Sequence, residues 1–164
     1  MNKASVGFHI LLVEDSRADA KIIERALRES DVTHRLTVIT DGQHALDYLF
    51  ALRSDEVDID REPDLILLDL NLPGIDGCQV LARIKSDPYL RMIPVVILTT
   101  SNRDEDVLQT YMAGANTYIS KPAEYPSYRE LVATLHTYWV DTALKIPHDR
   151  RRRLALRAEG GGMT

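Results

Sequence analysis

Short, strongly apolar runs recur along the chain at nearly even spacing. They are ILLV (10–13), LTVI (36–39), LILL (65–68), VVIL (95–98) and the weaker TYI (117–119). Runs rich in Val, Ile and Leu, without a regular alternation of polar residues, are typical of strands buried on both faces, as in parallel sheets. The pattern therefore predicts a buried parallel sheet of five strands.

Residues with helical periodicity follow each run. Ser16 is placed to cap the first helix, with Asp19 at its third position. The predicted apolar faces, in chain order, are Ile22, Ile23, Ala26 and Leu27; Ala45, Leu46, Leu49 and Phe50; Val80, Leu81 and Ile84; Val107, Leu108, Tyr111 and Met112; and Leu131, Val132, Leu135 and Trp139. The alternation predicts an α/β fold of (βα)₅ type with helices on both faces of the sheet.

Composition narrows the class of protein. The chain has 164 residues, 45% of them hydrophobic, which is enough for one domain that folds without disulfides or metals as staples. A net charge of −5 argues against a general affinity for nucleic acid or anionic membranes. No apolar run approaches the roughly 20 residues of a membrane span, and the N-terminus lacks the features of a signal peptide. The lone Cys78, a packing residue or a reactive thiol, suits a reducing compartment, so we expect a soluble cytoplasmic protein.

Two segments fall outside the predicted strands and helices. Residues 54–64 form an acidic stretch that we interpret as a solvated loop. We expect residues 1–146 to form the folded domain and residues 147–164, basic and then Gly-rich, to be a loosely ordered tail. The four arginines at 150–153 could touch a phosphate backbone, but without a recognition helix we favour a solvated tail and expect no specific nucleic-acid binding.

The polar residues that interrupt this apolar pattern fall at the ends of the strands. The first run ends in Glu14 and Asp15, the third in Asp69, the fourth in Thr99, and the last is followed by Lys121. Because ligands of open parallel sheets bind at the carboxyl ends of the strands, we expect these five side chains to meet. Three crowded carboxylates repel one another unless a cation lies between them, and Mg²⁺ suits oxygen ligands of this kind.

Each of these residues also has a purely structural explanation. Glu14 and Asp15 could cap the following helix, Thr99 could bond to backbone, Lys121 could lie on the surface, and Asp69 could end a strand at a turn. The coincidence of all five at strand ends favours a functional site.

The motifs ILLVED, LILLDLNLPGIDG, PVVILTTS and YISKP, in this order, resemble the response-regulator receiver domain of bacterial two-component signalling. The resemblance extends over residues 10–145 or so. It implies the flavodoxin-like receiver fold, with strand order 2-1-3-4-5. It also implies a signalling phosphoacceptor rather than a turnover enzyme, with at most self-phosphorylation from small phosphodonors and autodephosphorylation.

The resemblance assigns roles to the acidic residues. Asp69 would accept a phosphoryl group from a phosphohistidine of a sensor histidine kinase. Asp15, Asp69 and the backbone carbonyl of Asn71 would bind Mg²⁺, and Glu14 would act mainly through a metal-bound water. The family more often has Asp at the position of Glu14.

Other residues would bind the phosphoryl group or respond to it. Thr99 and Lys121 would each contact a phosphoryl oxygen, and the Lys121–Pro122 peptide would be cis. Tyr118 would fill the space that Thr99 leaves, and this would change a protein-binding surface formed by the fourth helix, the fifth strand and the fifth helix.

The sequence is most similar to the single-domain regulators that pair with phytochrome-type histidine kinases, which tend to form homodimers. We therefore expect protein–protein contact as the output, and too few residues follow the fifth helix for a DNA-reading domain. Near its end that helix carries more apolar side chains than one inward face needs, which predicts a dimer interface of Tyr138, Trp139, Val140 and Leu144. Burial of these residues by the tail is the competing interpretation.

Three other functions are known for α/β folds of this kind. A phosphatase of the haloacid-dehalogenase type would have a second Asp where this chain has Asn71. A nucleotide-binding domain would have a Gly-rich phosphate loop after a strand, and none is present. A receiver-like binding module that is never phosphorylated remains as the alternative.

Overall fold

The computed structural model describes residues 7–31, 33–54 and 58–160. The strands are β1 (Phe8–Val13), β2 (His34–Ile39), β3 (Leu65–Leu68), β4 (Val95–Thr99) and β5 (Thr117–Ser120). The α-helices are α1 (Arg17–Arg28), α2 (Gly42–Ala51), α3 (Gly77–Ser86), α4 (Asp104–Met112), α5 (Tyr125–His136) and α6 (His148–Gly160). Short 3₁₀ turns cover Ile59–Arg61 and Leu90–Met92, and a π-helical segment, Thr137–Thr142, continues α5.

The five strands form one parallel sheet in the order β2-β1-β3-β4-β5. Each predicted strand is present, and the predicted fold class and strand order are confirmed. Because β1 and β3 are neighbours in the middle of the sheet, the residues that follow them lie side by side at its carboxyl edge.

Side chains of each central strand alternate between two cores. In β3, Ile66 and Leu68 pack toward α2 and α3, whereas Leu65 and Leu67 pack toward α1 and α5. All four are almost fully buried. Strands covered on both faces have no polar face, which explains the unbroken apolar runs in the sequence.

The apolar face predicted for α4 is not a core face. Leu108, Tyr111 and Met112 are 61%, 48% and 80% exposed, while Thr110 is buried. Periodicity identifies an apolar face of a helix, but it does not indicate whether the same chain covers that face. This part of the prediction was wrong.

The predicted interface near the end of α5 divides into two pairs. Trp139 is buried in the core beside α1 and α5, and Val140 packs against the same core. Tyr138 and Leu144 are exposed. Trp139 and Val140 turn inward because the chain leaves the α-helix after His136 and widens into the π-helical turn. These two residues are therefore core residues, which corrects their assignment to the dimer interface and agrees with the inward face that the periodicity predicts for Trp139.

The C-terminal segment differs from the predicted loose tail, since residues 148–160 form α6. Arg151 is only 2% exposed, and its guanidinium donates to the carbonyls of Ile146 and Pro63. Nε of Arg152 lies 2.9 Å from Oε1 of the fully buried Glu62. A basic stretch folds here because it meets backbone carbonyls and a buried carboxylate.

The same contacts correct the interpretation of residues 54–64 as a solvated loop at its end, whereas Asp58, Asp60 and Arg61 are exposed as predicted. Glu62 is fully buried, and Asp64 lies 3.2 Å from Nε2 of His148. Residues 55–57 of this stretch lie outside the described residues. Among the described residues, no helix has the length and apolar character that crossing a membrane requires.

Candidate functional site

The five predicted side chains meet at the carboxyl edge of the sheet. Glu14 and Asp15 follow β1, Asp69 follows β3, Thr99 ends β4, and Lys121 follows β5. Glu14, Asp69 and Thr99 are buried, while Asp15 is exposed at the mouth of the site. The acids at the ends of the two central strands are brought together by the parallel pairing of β1 and β3.

Lys121 is the cation of this cluster. Its Nζ lies 2.5 Å from Oε2 of Glu14, 2.7 Å from Oδ2 of Asp19 and 2.9 Å from Oδ2 of Asp69. Its side chain is 4% exposed, so these ion pairs are shielded from water on most sides. Burial alone lowers the pKa of Lys121, but the hydrogen bonds to Asp19, Asp69 and Glu14 raise it above the ordinary value, and the ammonium stays charged.

Three carboxylates are arranged to hold a metal ion. Glu14, Asp15 and Asp69 each offer an oxygen, and these oxygens all lie within 4.8 Å of one another. A hard divalent cation prefers oxygen ligands of this type, so the donor set fits Mg²⁺ or a similar ion. Among the described residues, no other three His, Cys, Asp or Glu side chains are arranged in this way.

Asp69 is held ionised. Burial by itself raises the pKa of this carboxyl group, but the hydrogen bonds from Lys121 and from the backbone N–H of Asn71 lower it below the ordinary value. Oδ1 accepts from Asn71 N–H at 3.1 Å and Oδ2 from Lys121 at 2.9 Å. Glu14 differs, because burial raises its pKa to about 7 although Lys121 and the backbone N–H of Ser16 oppose the shift.

Thr99 is connected to the site and to β5. Its Oγ1 accepts from Nδ2 of Asn71 and from the backbone N–H of Ser101, both at 3.4 Å. The hydroxyl of Tyr118 donates to the carbonyl of Ser101 at 2.8 Å. Ser101 also donates from its own hydroxyl to Asp106 of α4. A chain of contacts therefore leads from Thr99 to Tyr118 and to α4.

Two glycines shape the loop between Asp69 and α3. Gly74 has a φ of +72°, a backbone conformation that few other residues adopt. At Gly77 a Cβ would collide with the carbonyl oxygen of Asp69, so only glycine lets α3 begin against the backbone of that residue. α3 is then capped by Asp76, whose side chain accepts from the N–H of Gln79 at 2.9 Å.

The structure corrects the predicted cis peptide. Lys121–Pro122 is trans, the form that X–Pro bonds favour by about 0.5–1 kcal/mol unless packing selects the other isomer. The backbone N–H of Lys121 donates to the carbonyl of Thr99 at 2.8 Å. Lys121 nevertheless reaches the site.

Asp19 belongs to the site, and the sequence reasoning missed it. Its backbone N–H is bound by the Oγ of Ser16, as the capping pattern predicted, but its carboxylate binds Lys121. The available signal was position: Asp19 is an acid in the first turn of the helix that follows directly after Asp15.

Comparison with known proteins points to one family. The response regulator receiver domain model matches residues 10–136. Response regulator Rcp1 of Synechocystis sp. is 41% identical over 133 residues, which are 81% of this chain and 89% of that protein.

Two solved structures are similar over nearly their whole length. The Mn²⁺-bound form of Rcp1 has 39% identity and a TM-score of 0.75, over 85% of this chain and 99% of that one. The phosphorylated cyanobacterial phytochrome response regulator RcpA has 41% identity and a TM-score of 0.76, over 85% of this chain and 98% of that one.

Proposed function

The chain belongs to the response regulator receiver domain family, and from that premise we propose that Asp69 accepts a phosphoryl group from a phytochrome-type sensor histidine kinase. Phosphorylation by a histidine kinase is expected of this family, and the similarity to phytochrome-associated regulators supports the kinase type. A cytoplasmic location is part of the proposal, since we expect the kinase's phosphohistidine there.

The observation that carries this proposal is the environment of Asp69. One of its oxygens must attack phosphorus as the bond from phosphorus to the histidine nitrogen breaks, and only the ionised carboxylate is a good nucleophile. The ammonium of Lys121 and the N–H of Asn71 keep it ionised and hold both oxygens in place. Phosphoryl transfer depends mainly on such positioning and on charge neutralisation.

We assign Mg²⁺ to Glu14, Asp15 and Asp69, with the backbone carbonyl of Asn71 as a further ligand. When bound, the ion would neutralise charge on the carboxylates and on the phosphoryl oxygens. The cluster of three carboxylates supports a divalent ion, and the Mn²⁺-bound form of Rcp1 is a related protein with one. Glu14 would act mainly through a metal-bound water.

The proposed switch begins at Thr99. If its hydroxyl moves to bond a phosphoryl oxygen, its contacts with Ser101 and Asn71 must change. The hydroxyl of Tyr118 is bound to the carbonyl of Ser101, so Tyr118 would respond to that movement. Charge-assisted hydrogen bonds of about 1.5–3 kcal/mol each would shift the equilibrium substantially but not completely.

The proposed output is a protein-binding surface on α4, β5 and α5. It is supported by the exposed Leu108 and Met112 on α4, because apolar side chains grouped in this way mark interaction surfaces. A homodimer is one proposed use of this surface and of the exposed Tyr138 and Leu144. Sizing the protein with and without beryllofluoride, a phosphoryl mimic, tests it; a monomer in both states would contradict the homodimer.

A receiver-like module that is never phosphorylated is the alternative. It is disfavoured because Asp69, Lys121 and the carboxylate cluster combine all the groups that the reaction needs. Turnover of external phosphate esters is disfavoured because Asn71 stands where a general acid would be required.

Intact mass spectrometry after incubation with Mg²⁺ and acetyl phosphate tests the proposal. We expect one phosphoryl group on the wild-type protein and none on Asp69→Asn. As a control, Asp47→Asn removes an exposed carboxylate on α2 and should leave the uptake unchanged. Full uptake by Asp69→Asn would move the acceptor elsewhere.

A further inference from the structure

Asp19 is the third carboxylate on Lys121, and its environment differs from that of the other two. Its side chain is 30% exposed, whereas those of Glu14 and Asp69 are 1% and 5% exposed. It projects from the first turn of α1, outside the group of carboxylates that would hold the metal ion. Asp19 therefore contacts the buried cation from the solvent side of the site.

The three carboxylates use the full capacity of Lys121. An ammonium group has three N–H donors and no acceptor. Its three partners lie between 2.5 and 2.9 Å away, which are distances of charge-assisted hydrogen bonds. An incoming phosphoryl oxygen can therefore gain a hydrogen bond from Lys121 only if a carboxylate gives one up.

Asp19 is the partner that can be released at the lowest cost. Glu14 is buried, so leaving its oxygen without a donor would cost the full desolvation penalty, whereas the partly exposed Asp19 can turn to water. Transfer converts the Asp69 carboxylate into an acyl phosphate, so Asp69 becomes part of the phosphorylated group rather than a competitor for it. Competition for Lys121 is thus between Asp19 and the phosphoryl group.

Resting on the proposed function, we infer that Asp19 is a positioning residue that holds Lys121 at the mouth of the site and competes with the phosphoryl group for it. Its negative charge also repels an anion that approaches Asp69 and attracts the divalent cation. Removing that charge should strengthen the binding of a phosphoryl mimic and weaken the binding of the metal ion. Asp19 would act through Lys121 rather than on the reacting atoms.

The test is Asp19→Asn, which keeps the shape of the side chain and the backbone N–H bound by Ser16. Beryllofluoride affinity, measured by calorimetry at saturating Mg²⁺, should rise about threefold, which corresponds to about 0.7 kcal/mol. Mg²⁺ affinity, measured without beryllofluoride, should fall by a similar factor. Both differences should shrink at high ionic strength, since the site opens to solvent on the side of Asp19.

Glu24→Gln is the matched control, because it removes one carboxylate from an exposed position on the same helix and should change neither affinity. A merely structural role of Asp19 would weaken the binding of both ions in step with a lower melting temperature. That result, or unchanged affinities, would overturn the inference. Failure of the wild-type protein itself to bind beryllofluoride would instead overturn the proposed function on which the inference rests.

Discussion

Glu14 is an acid whose burial opposes its ionisation. Its pKa is raised by burial from 4.5 to about 7, so the folded protein holds a proton there that the unfolded chain releases. Protonated Glu14 stabilises the folded protein. This stabilisation is fully present below about pH 4.5 and is lost as the pH rises through about 7. In chelator, we expect the free energy of unfolding to fall by up to about 3 kcal/mol over this range.

Glu14→Gln stays neutral and should lack that fall, which urea unfolding at several pH values would measure. Added Mg²⁺ should flatten the profile of the wild-type protein, because the cation favours the ionised carboxylate. Parallel pH profiles for the two proteins in chelator would contradict the assignment of the raised pKa to Glu14.

Gly77 supports the site through the backbone. A methyl group at this position meets the carbonyl oxygen of Asp69, so Gly77→Ala should push α3 away from the strand end. We expect a loss of stability of about 3 kcal/mol, near the upper limit for overpacking, and reduced phosphoryl uptake. Denaturant unfolding and intact mass measure the two effects.

Gly160→Ala is the control for this substitution, since no atom of the described residues lies within 4 Å of a Cβ at that position. It should leave stability within about 0.5 kcal/mol of the wild-type value. If the Gly77→Ala protein is as stable as this control, the backbone at Asp69 accommodates a Cβ at position 77 without cost, which would contradict the prediction.

At the scale of single residues, the five expected side chains of the site could be predicted from the sequence, but the contact of Lys121 with Asp19 could not. Glu14, Asp69 and Lys121 were predictable because each is a polar residue directly after an apolar strand, and parallel strands end at one edge. Asp19 was not, since its position in a helix suits a capping pattern equally well. Which carboxylate a lysine selects depends on distances that no local pattern encodes.

The element that most needs explanation is α6, a basic helix that folds against an acidic loop. Glu62→Gln should remove the 2.9 Å ion pair between Arg152 and the buried carboxylate, while His148 keeps its contact with Asp64. Because breaking a buried ion pair costs about 3–5 kcal/mol, we expect a loss near the lower value and faster hydrogen exchange in residues 148–160. Phosphoryl uptake should remain, since Glu62 precedes β3 whereas Asp69 follows it.

Arg153→Gln breaks the pair with Asp149, in which both side chains are more than 60% exposed. This matched change on the same helix should cost less than about 0.5 kcal/mol. Equal effects of the two substitutions on hydrogen exchange would contradict the role given to Glu62.

Strands and helices could be predicted where burial against the sheet produces an apolar pattern in the sequence. The apolar runs identified all five strands, because the central strands are covered on both faces. The same logic failed at α4, whose apolar face is exposed, and it did not assign Val140 to the core, where a π-helical turn directs it. It also failed at α6, where long-range contacts of Arg151 and Arg152 order a segment whose composition indicates a loose tail.

At the scale of the whole molecule, different polar clusters lie at the carboxyl ends and at the amino ends of the parallel strands. The carboxyl edge holds Asp69 and Lys121, while the amino edge holds Glu62 bound to α6. Separate clusters allow stability and phosphoryl chemistry to be changed independently. The prediction that Glu62→Gln lowers stability but leaves phosphoryl uptake intact depends on that separation.

The central claim is that Asp69, and no other carboxylate of the site, receives the phosphoryl group. Borohydride reduction of the phosphorylated protein converts an aspartyl phosphate to homoserine, which peptide mass spectrometry can locate. We predict homoserine at position 69 in the wild-type protein, its dependence on Mg²⁺, and its absence from Asp69→Asn. Homoserine at position 15 or 19, or a phosphorylated protein without homoserine at position 69, would contradict the account.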